Sequence, residues 1–195
     1  MSFLFDDFKG WKAWCEANDM ALFEPVVQYE VTQKERTEEV IWLGLDRAYQ
    51  VMKEAVKTGL TEDMTSRSGM VNNGAKKVYN YPKPVLSKEF QVLISRALAA
   101  KEVNSCMGRV VAAPTAGASG ILPGVMVTLQ ELHDLPDRKI MEGLLVGAGI
   151  ARIMEKRTIR PHVNPIPSSI IDIDGCRLID ELLDIGKCTI PVVLE

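Results

Sequence analysis

Thr32-Gln-Lys-Glu-Arg-Thr-Glu-Glu-Val-Ile-Trp-Leu-Gly-Leu-Asp-Arg-Ala-Tyr-Gln-Val-Met-Lys-Glu-Ala-Val-Lys-Thr-Gly59 reads as one long amphipathic helix. Ile41, Leu45, Ala48, Met52, Ala55 and Val56 recur at helical spacing, while Glu35, Glu38, Asp46, Lys53 and Glu54 lie largely elsewhere around the axis. Thr32 and Glu35 have capping-box spacing, which predicts the start. Gly59 is placed to end the helix.

The same periodicity extends outward. Phe8, Trp11, Cys15 and Trp14 predict a first helix over residues 5–18, and Pro25 suits the first turn of a short second one over 22–29. Residues 60–86 change character: they are polar and turn-rich, and Tyr81-Pro-Lys-Pro84 excludes helix interior, with room for one helical turn over 76–81. Ser87 opens a long helix to about Met107, with Phe90, Leu93, Ile94, Ala97, Leu98 and Lys101 marking its faces. Further helices are expected over 124–133 and 137–157. The face Ile140, Leu144, Gly147, Ala148 and Ala151 of the latter is small enough for close helix approach. Beyond it, Pro161, Pro165 and Pro167 make an extended joint. A short strand over 168–174, a helix over 177–185 and a strand over 189–194 complete the expectation. The predicted class is therefore all-α: a multi-helical bundle with glycine-rich loops over 1–157, then a divergent tail, irregular or α+β, over 158–195.

Composition bounds the function. The 195 residues carry a net charge of -3, so there is no broad basic field for nucleic acid, and Lys76-Lys77 and Lys156-Arg157 are too small a footprint. No apolar run is long enough for a membrane span, and the first residues lack a signal-peptide pattern, so a cytoplasmic location is expected. Cys15, Cys106, Cys176 and Cys188 are scattered without a C-x-x-C pair and read as reduced thiols. Met64, Met70, Met107, Met126, Met141 and Met154 read as core filler, and Trp11, Trp14 and Trp42 as anchors of the N-terminal helices. His133 fits a helix end, with general base as its alternative role; His162 lies in the proline-rich joint. The tail acids Asp172, Asp174, Asp180, Glu181 and Asp184 form a solvated face, since the full ligand set of a calcium loop is missing.

Chemistry concentrates in Ala113-Pro-Thr-Ala-Gly-Ala-Ser-Gly-Ile-Leu-Pro-Gly124. Its glycines let backbone N–H groups approach a ligand, and a helix starting just after strengthens such a nest for an anion. Thr115 and Ser119 add hydroxyls, so the natural guest is a carboxylate or phosphate. A tight turn between helices needs the same residue types without a ligand, and residue types alone leave both readings open.

The string from Glu102 through this motif to Gly124 resembles the core motif of iron–sulfur-dependent L-serine dehydratase alpha chains. Ser66-Arg-Ser-Gly-Met70 followed by Ala75-Lys-Lys-Val-Tyr79 resembles that family's earlier motif, and the likeness covers roughly residues 3–156. It implies a helical catalytic part. The implied reaction is deamination of L-serine, or a similar small amino acid, to pyruvate and ammonia. It also implies a 4Fe–4S cluster whose open iron takes the substrate hydroxyl as a Lewis acid. It places Ser66, Ser68, Gly69, Asn104, Thr115, Ala116, Gly117, Ser119 and Gly120 at or near substrate. A beta (regulatory) chain or self-association is the implied partner.

Two departures stand out. Asn72-Asn73-Gly74 replaces the glycine pair and acidic or amide residue usual after the first motif. The Gly-Cys-Gln-x-Glu-x-Gly-x-x-Cys and Pro-Cys motifs that supply the family's cluster ligands are not present, so no cluster ligand and no general base is assigned, and Cys176 and Cys188 stand in unrelated surroundings. The expectation is a truncated or rearranged alpha chain, inactive by itself and marginally stable or oligomeric. The alternative is a non-catalytic remnant or subunit that binds a small carboxylate or a partner chain.

Overall fold

The computed structural model describes residues 5–84, 87–113 and 119–157, with side chains up to residue 153. Every regular element among the described residues is a helix, so the all-α expectation holds; the only strand-like pairing there is an isolated antiparallel bridge between Thr65 and Asn72.

Helix α1 (Phe8–Ala17) is capped by Asp7, whose carboxylate accepts the Gly10 N–H at 2.6 Å. Its Trp11 and Cys15 are buried, as the spacing predicts. Helix α2 (Glu24–Lys34) has Pro25 in its first turn and runs one turn past the expected end, until Glu35 takes a left-handed conformation at φ 53°. Helix α3 (Glu38–Thr61) therefore starts at Thr37, not Thr32. Thr37 is extended and its hydroxyl accepts the Val40 N–H at 3.4 Å, whereas the Thr32 hydroxyl donates back to Gln28 O at 2.7 Å inside α2. The capping spacing at 32–35 is a coincidence because the chain reverses at Glu35. Nor does Gly59 end α3. A Cβ there would lie 2.3 Å from Ala99 O, so this glycine lets α3 press on the backbone of a neighbouring helix.

After α4 (Gly74–Tyr79), that neighbour is α5 (Lys88–Ser105), capped by Ser87 accepting from Phe90 N–H at 3.2 Å. Helix α5 is the axis of the bundle, packed by α3, α4 and α6 (Ile121–His133). Its faces differ from expectation. Phe90 and Leu98 are exposed, whereas Gln91, Ser95, Arg96, Ala99, Ala100, Glu102 and Val103 are buried. Apolar spacing misassigns the face because the buried polar groups each find partners inside. Arg96 donates to Thr128 at 3.2 Å and pairs with Glu131, tying α5 to α6.

Helix α7 (Asp137–Arg157) buries Ile140, Leu144 and Ala148 as expected, together with Met141, Leu145 and Ile153. Close approach occurs at Gly149, where a Cβ would meet the Trp11 ring at 2.3 Å; Gly147 faces open space. Trp42 stacks edge-on with Phe23 and lies under the Arg138 guanidinium, and Trp14 is half-exposed against Phe5. Met64 and Met141 are core residues, but Met70 and Met107 are exposed at 89% and 86%, so core filling is not their role. The tail strands and helix, His162, and the side chain of Met154 lie outside the described residues.

Candidate functional site

Two loops and the end of α5 build the site. The first loop joins α3 to α4. Ser66 N–H donates to Val71 O at 3.1 Å and Asn73 N–H to Met64 O at 3.0 Å, making a narrow antiparallel ladder. Gly69 closes the tip at φ 74°, a conformation that favours glycine, and its N–H reaches Ser66 O at 2.8 Å. The buried Ser66 hydroxyl accepts the Val71 N–H at 3.0 Å and lies 3.2 Å from the Ser68 hydroxyl. Expected site residues Ser66, Ser68 and Gly69 thus form one turn. The departure at Asn72-Asn73-Gly74 has a local use: Asn73 is left-handed at φ 54°, and its Oδ1 accepts the Met64 N–H at 2.7 Å. Asparagine tolerates that conformation better than most residues.

Helix α5 anchors this loop through Glu102. The carboxylate is buried and accepts the Gly74 N–H at 2.7 Å and the Ala75 N–H at 3.3 Å, serving as a cap for α4 from another element. Three turns earlier along the same side, Gln91 donates to Val78 O at 2.5 Å and Tyr81 O at 2.8 Å and holds the other end of α4. Glu102 and Gln91 are the positioning residues that sequence reading missed. Polar residues at 91, 95 and 102 share one helical stripe, a signal that the apolar count hides.

The second loop leads into α6. Gly120 precedes the first turn without a side-chain cap, and a Cβ on it would meet Ala97 O at 2.4 Å and the Lys101 Cβ at 3.2 Å. The first-turn N–H groups have no partner within the helix, and Pro123 has none to offer. Just before them, Ser119 is 1% exposed, and its hydroxyl has no hydrogen-bond partner among the described residues. Leaving a buried hydroxyl unpaired costs about 1–3 kcal/mol, so this hydroxyl is the polar group of the site whose partner is still to be accounted for.

Packing places these parts at one end of the bundle. Helix α4 starts against Glu102 and ends against Gln91; α6 starts against Lys101 and ends near Arg96. Both run antiparallel to α5. The Ser66 turn and Ser119 therefore lie toward the C-terminal end of α5, where half-buried Asn104 sits one turn past Lys101. There the chain turns sharply at Met107, φ 64°, with Gly108 N–H donating to Val103 O at 2.8 Å, a Schellman closure. Thr115, Ala116 and Gly117 lie outside the described residues. His133 is exposed at the last turn of α6, which suits the dipole role and places it at the opposite end from Ser119.

The described residues do not fit a 4Fe–4S cluster. They include no group of three or more His, Cys, Asp or Glu able to hold a metal. Cys15 is buried in α1, and burial foremost pushes its thiol above the ordinary 9.0, away from thiolate. Cys106 is half-buried at the end of α5. Among the described residues no helix is long and apolar enough to cross a membrane.

A family model described as "Serine dehydratase alpha chain" matches residues 17–160. The chain is 30% identical over 145 residues to "L-serine dehydratase, alpha chain" of Peptoniphilus asaccharolyticus, covering 73% of this chain and 50% of that protein. It is 34% identical over 127 residues to "Probable L-serine dehydratase, alpha chain" of Bacillus subtilis, covering 64% and 42%. It is 36% identical over 97 residues to "L-serine dehydratase" of Streptomyces coelicolor, covering 47% and 21%. The chain thus spans half or less of the length of these relatives. No solved structure matches.

Proposed function

The chain belongs to the serine dehydratase alpha-chain family, and from that premise we propose that residues 1–157 bind L-serine, or a similarly small amino acid, as the substrate half of a serine-deaminating enzyme. The observation that carries this reading is Ser119. A buried hydroxyl with no partner among the described residues, beside the open N–H groups of α6, is matched by a carboxylate, which accepts from both. The Ser66–Gly69 turn and Asn104, at the same end, are proposed to hold the amino and hydroxyl groups and fix the substrate's orientation. Thr115, Ala116, Gly117 and Gly120 complete the proposed carboxylate nest.

The ligands of the cluster that the family likeness implies are not among the described residues, so no chemical step is assigned to this chain alone. Residues 158–195 are proposed as a separate segment, and a beta chain or a second copy as the partner completing the enzyme, in the cytoplasm. The second reading is a non-catalytic subunit that binds a small carboxylate or only a partner chain, through the same Ser119 end of the bundle.

Calorimetry on the full chain with L-serine, with D-serine as control, tests the binding claim. Heat with L-serine that Ser119→Ala abolishes supports it, and no heat with L-serine overturns it. Pyruvate release from L-serine, assayed without oxygen after adding iron and sulfide, separates enzyme from binding subunit.

A further inference from the structure

Glu30 and Glu102 are the buried acids among the described residues, and they are held differently. Glu30 lies 3.6 Å from Arg36. Glu102 has no ion pair among the described residues, and its two oxygens accept the Gly74 and Ala75 N–H groups. A buried carboxylate held by backbone donors fixes geometry, because charge-assisted bonds are short and strong and these two grip successive residues. Gly74 makes room for the contact: a Cβ on it would lie 2.8 Å from Glu102 Oε1.

The grip reaches the Ser66 turn through one peptide. Asn73 precedes Gly74 and pairs twice with Met64: its N–H donates to Met64 O at 3.0 Å and its Oδ1 accepts the Met64 N–H at 2.7 Å. Two residues further along the ladder, Ser66 N–H donates to Val71 O, and the Ser66 hydroxyl accepts the Val71 N–H. At its other end, Glu102 belongs to α5 and stands two residues before Asn104 on the same rigid helix. One side chain therefore sets the spacing between the turn and Asn104. The other strap on this loop, Lys76 to Asp63 at 2.9 Å, has its acid 88% exposed and holds weakly.

L-Serine and L-alanine differ by one hydroxyl. A site that hydrogen-bonds a hydroxyl rejects the analogue lacking it only while its own polar groups are held in register. We propose that Glu102 is a positioning residue that sets the preference of this end of the bundle for a β-hydroxylated amino acid. Through Gly74 it holds the Ser66–Gly69 turn at the spacing from Asn104 that a hydroxymethyl side chain spans. The proposal rests on the binding of L-serine proposed for this chain, with the carboxylate at Ser119, the amino group at Asn104 and the hydroxyl at the turn.

Calorimetry of the full chain with L-serine and with L-alanine tests it. The native chain is expected to prefer L-serine by about tenfold or more. Glu102→Gln and Gly74→Ala should each weaken L-serine about tenfold and leave L-alanine within about twofold, so that the preference collapses. Gly74→Ala keeps the carboxylate but displaces it, and it carries the test if Glu102→Gln fails to fold. Ser66→Ala should lose the same preference, and adding it to Glu102→Gln should weaken L-serine little further, because both act on one contact. Asp63→Asn, which opens the exposed strap, should leave the preference intact. A parallel loss of both amino acids would make Glu102 a structural cap and overturn the proposal. So would a native chain without the preference, or a preference unchanged in both variants. In those cases, L-serine heat that Ser119→Ala abolishes keeps the serine-binding reading standing. No heat with either amino acid overturns both.

Discussion

Ser119 and Glu102 show how one buried polar atom separates a binding role from a structural one. The Ser119 hydroxyl is buried without a partner among the described residues, so removing it should not harm the fold. Ser119→Ala is expected to hold or raise stability, by up to about 1 kcal/mol in urea unfolding, while weakening binding of L-serine at least about tenfold. A fall in stability would mean that the hydroxyl is structural. Glu102 is the opposite case, because its two oxygens satisfy the first N–H groups of α4. Glu102→Gln should cost about 1–2 kcal/mol and speed hydrogen exchange over residues 74–79 first, since a neutral amide is a weaker cap. At this scale, the sequence motif names Ser66, Ser68, Gly69, Asn104 and Ser119 as neighbours, and the fold brings them to one end of α5. It does not single out Glu102, whose partners lie 27 and 28 residues away.

Helices pack here through glycines, and sequence alone cannot tell a packing glycine from a terminating one. Gly59 reads as a helix stop yet lies inside α3 against Ala99. Gly59→Ala should therefore destabilise by about 1–3 kcal/mol, because the new methyl meets rigid backbone. Gly147 reads as a packing site yet faces open space in α7. Gly147→Ala should stabilise by up to about 1 kcal/mol through helix propensity. Measuring both in urea checks the assignment; equal effects would refute it. The same ambiguity moved the start of α3 from Thr32 to Thr37. Local spacing offers two caps, and only the reversal at Glu35 chooses between them.

Across the whole molecule, one polar cluster joins α3 to the α6–α7 turn. Tyr49 donates to Gln130 at 2.6 Å, Gln130 donates to Asp137 at 2.6 Å, and Lys53 reaches Asp137 at 2.7 Å. Burial foremost, then the charges of Asp137 and Glu131, push the Tyr49 hydroxyl well above its ordinary 10.0. A raised value in the fold means its stabilisation is full below pH 10 and is lost as pH rises beyond it. The stability difference between the native chain and Tyr49→Phe should therefore shrink in alkaline urea titrations. Hydrogen bonds from Lys53 first and Gln130 next hold Asp137 below its ordinary 3.8. That contribution is present above pH 3.8 and lost as pH falls below it. With Asp137 partly exposed, solvent keeps its share small.

The sequence by itself determined the helical class and most helix spans, and it supplied the candidate residues from which the proposed site is argued. Periodicity, capping chemistry and a glycine-rich motif are local properties that neighbouring residues carry. Only the tertiary structure decided which face of α5 is buried, which glycines are contacts, and that Ser119 is enclosed without a partner among the described residues. Burial of Gln91, Arg96 and Glu102 depends on partners brought in from α4, α6 and the loops beside them, which no local pattern encodes.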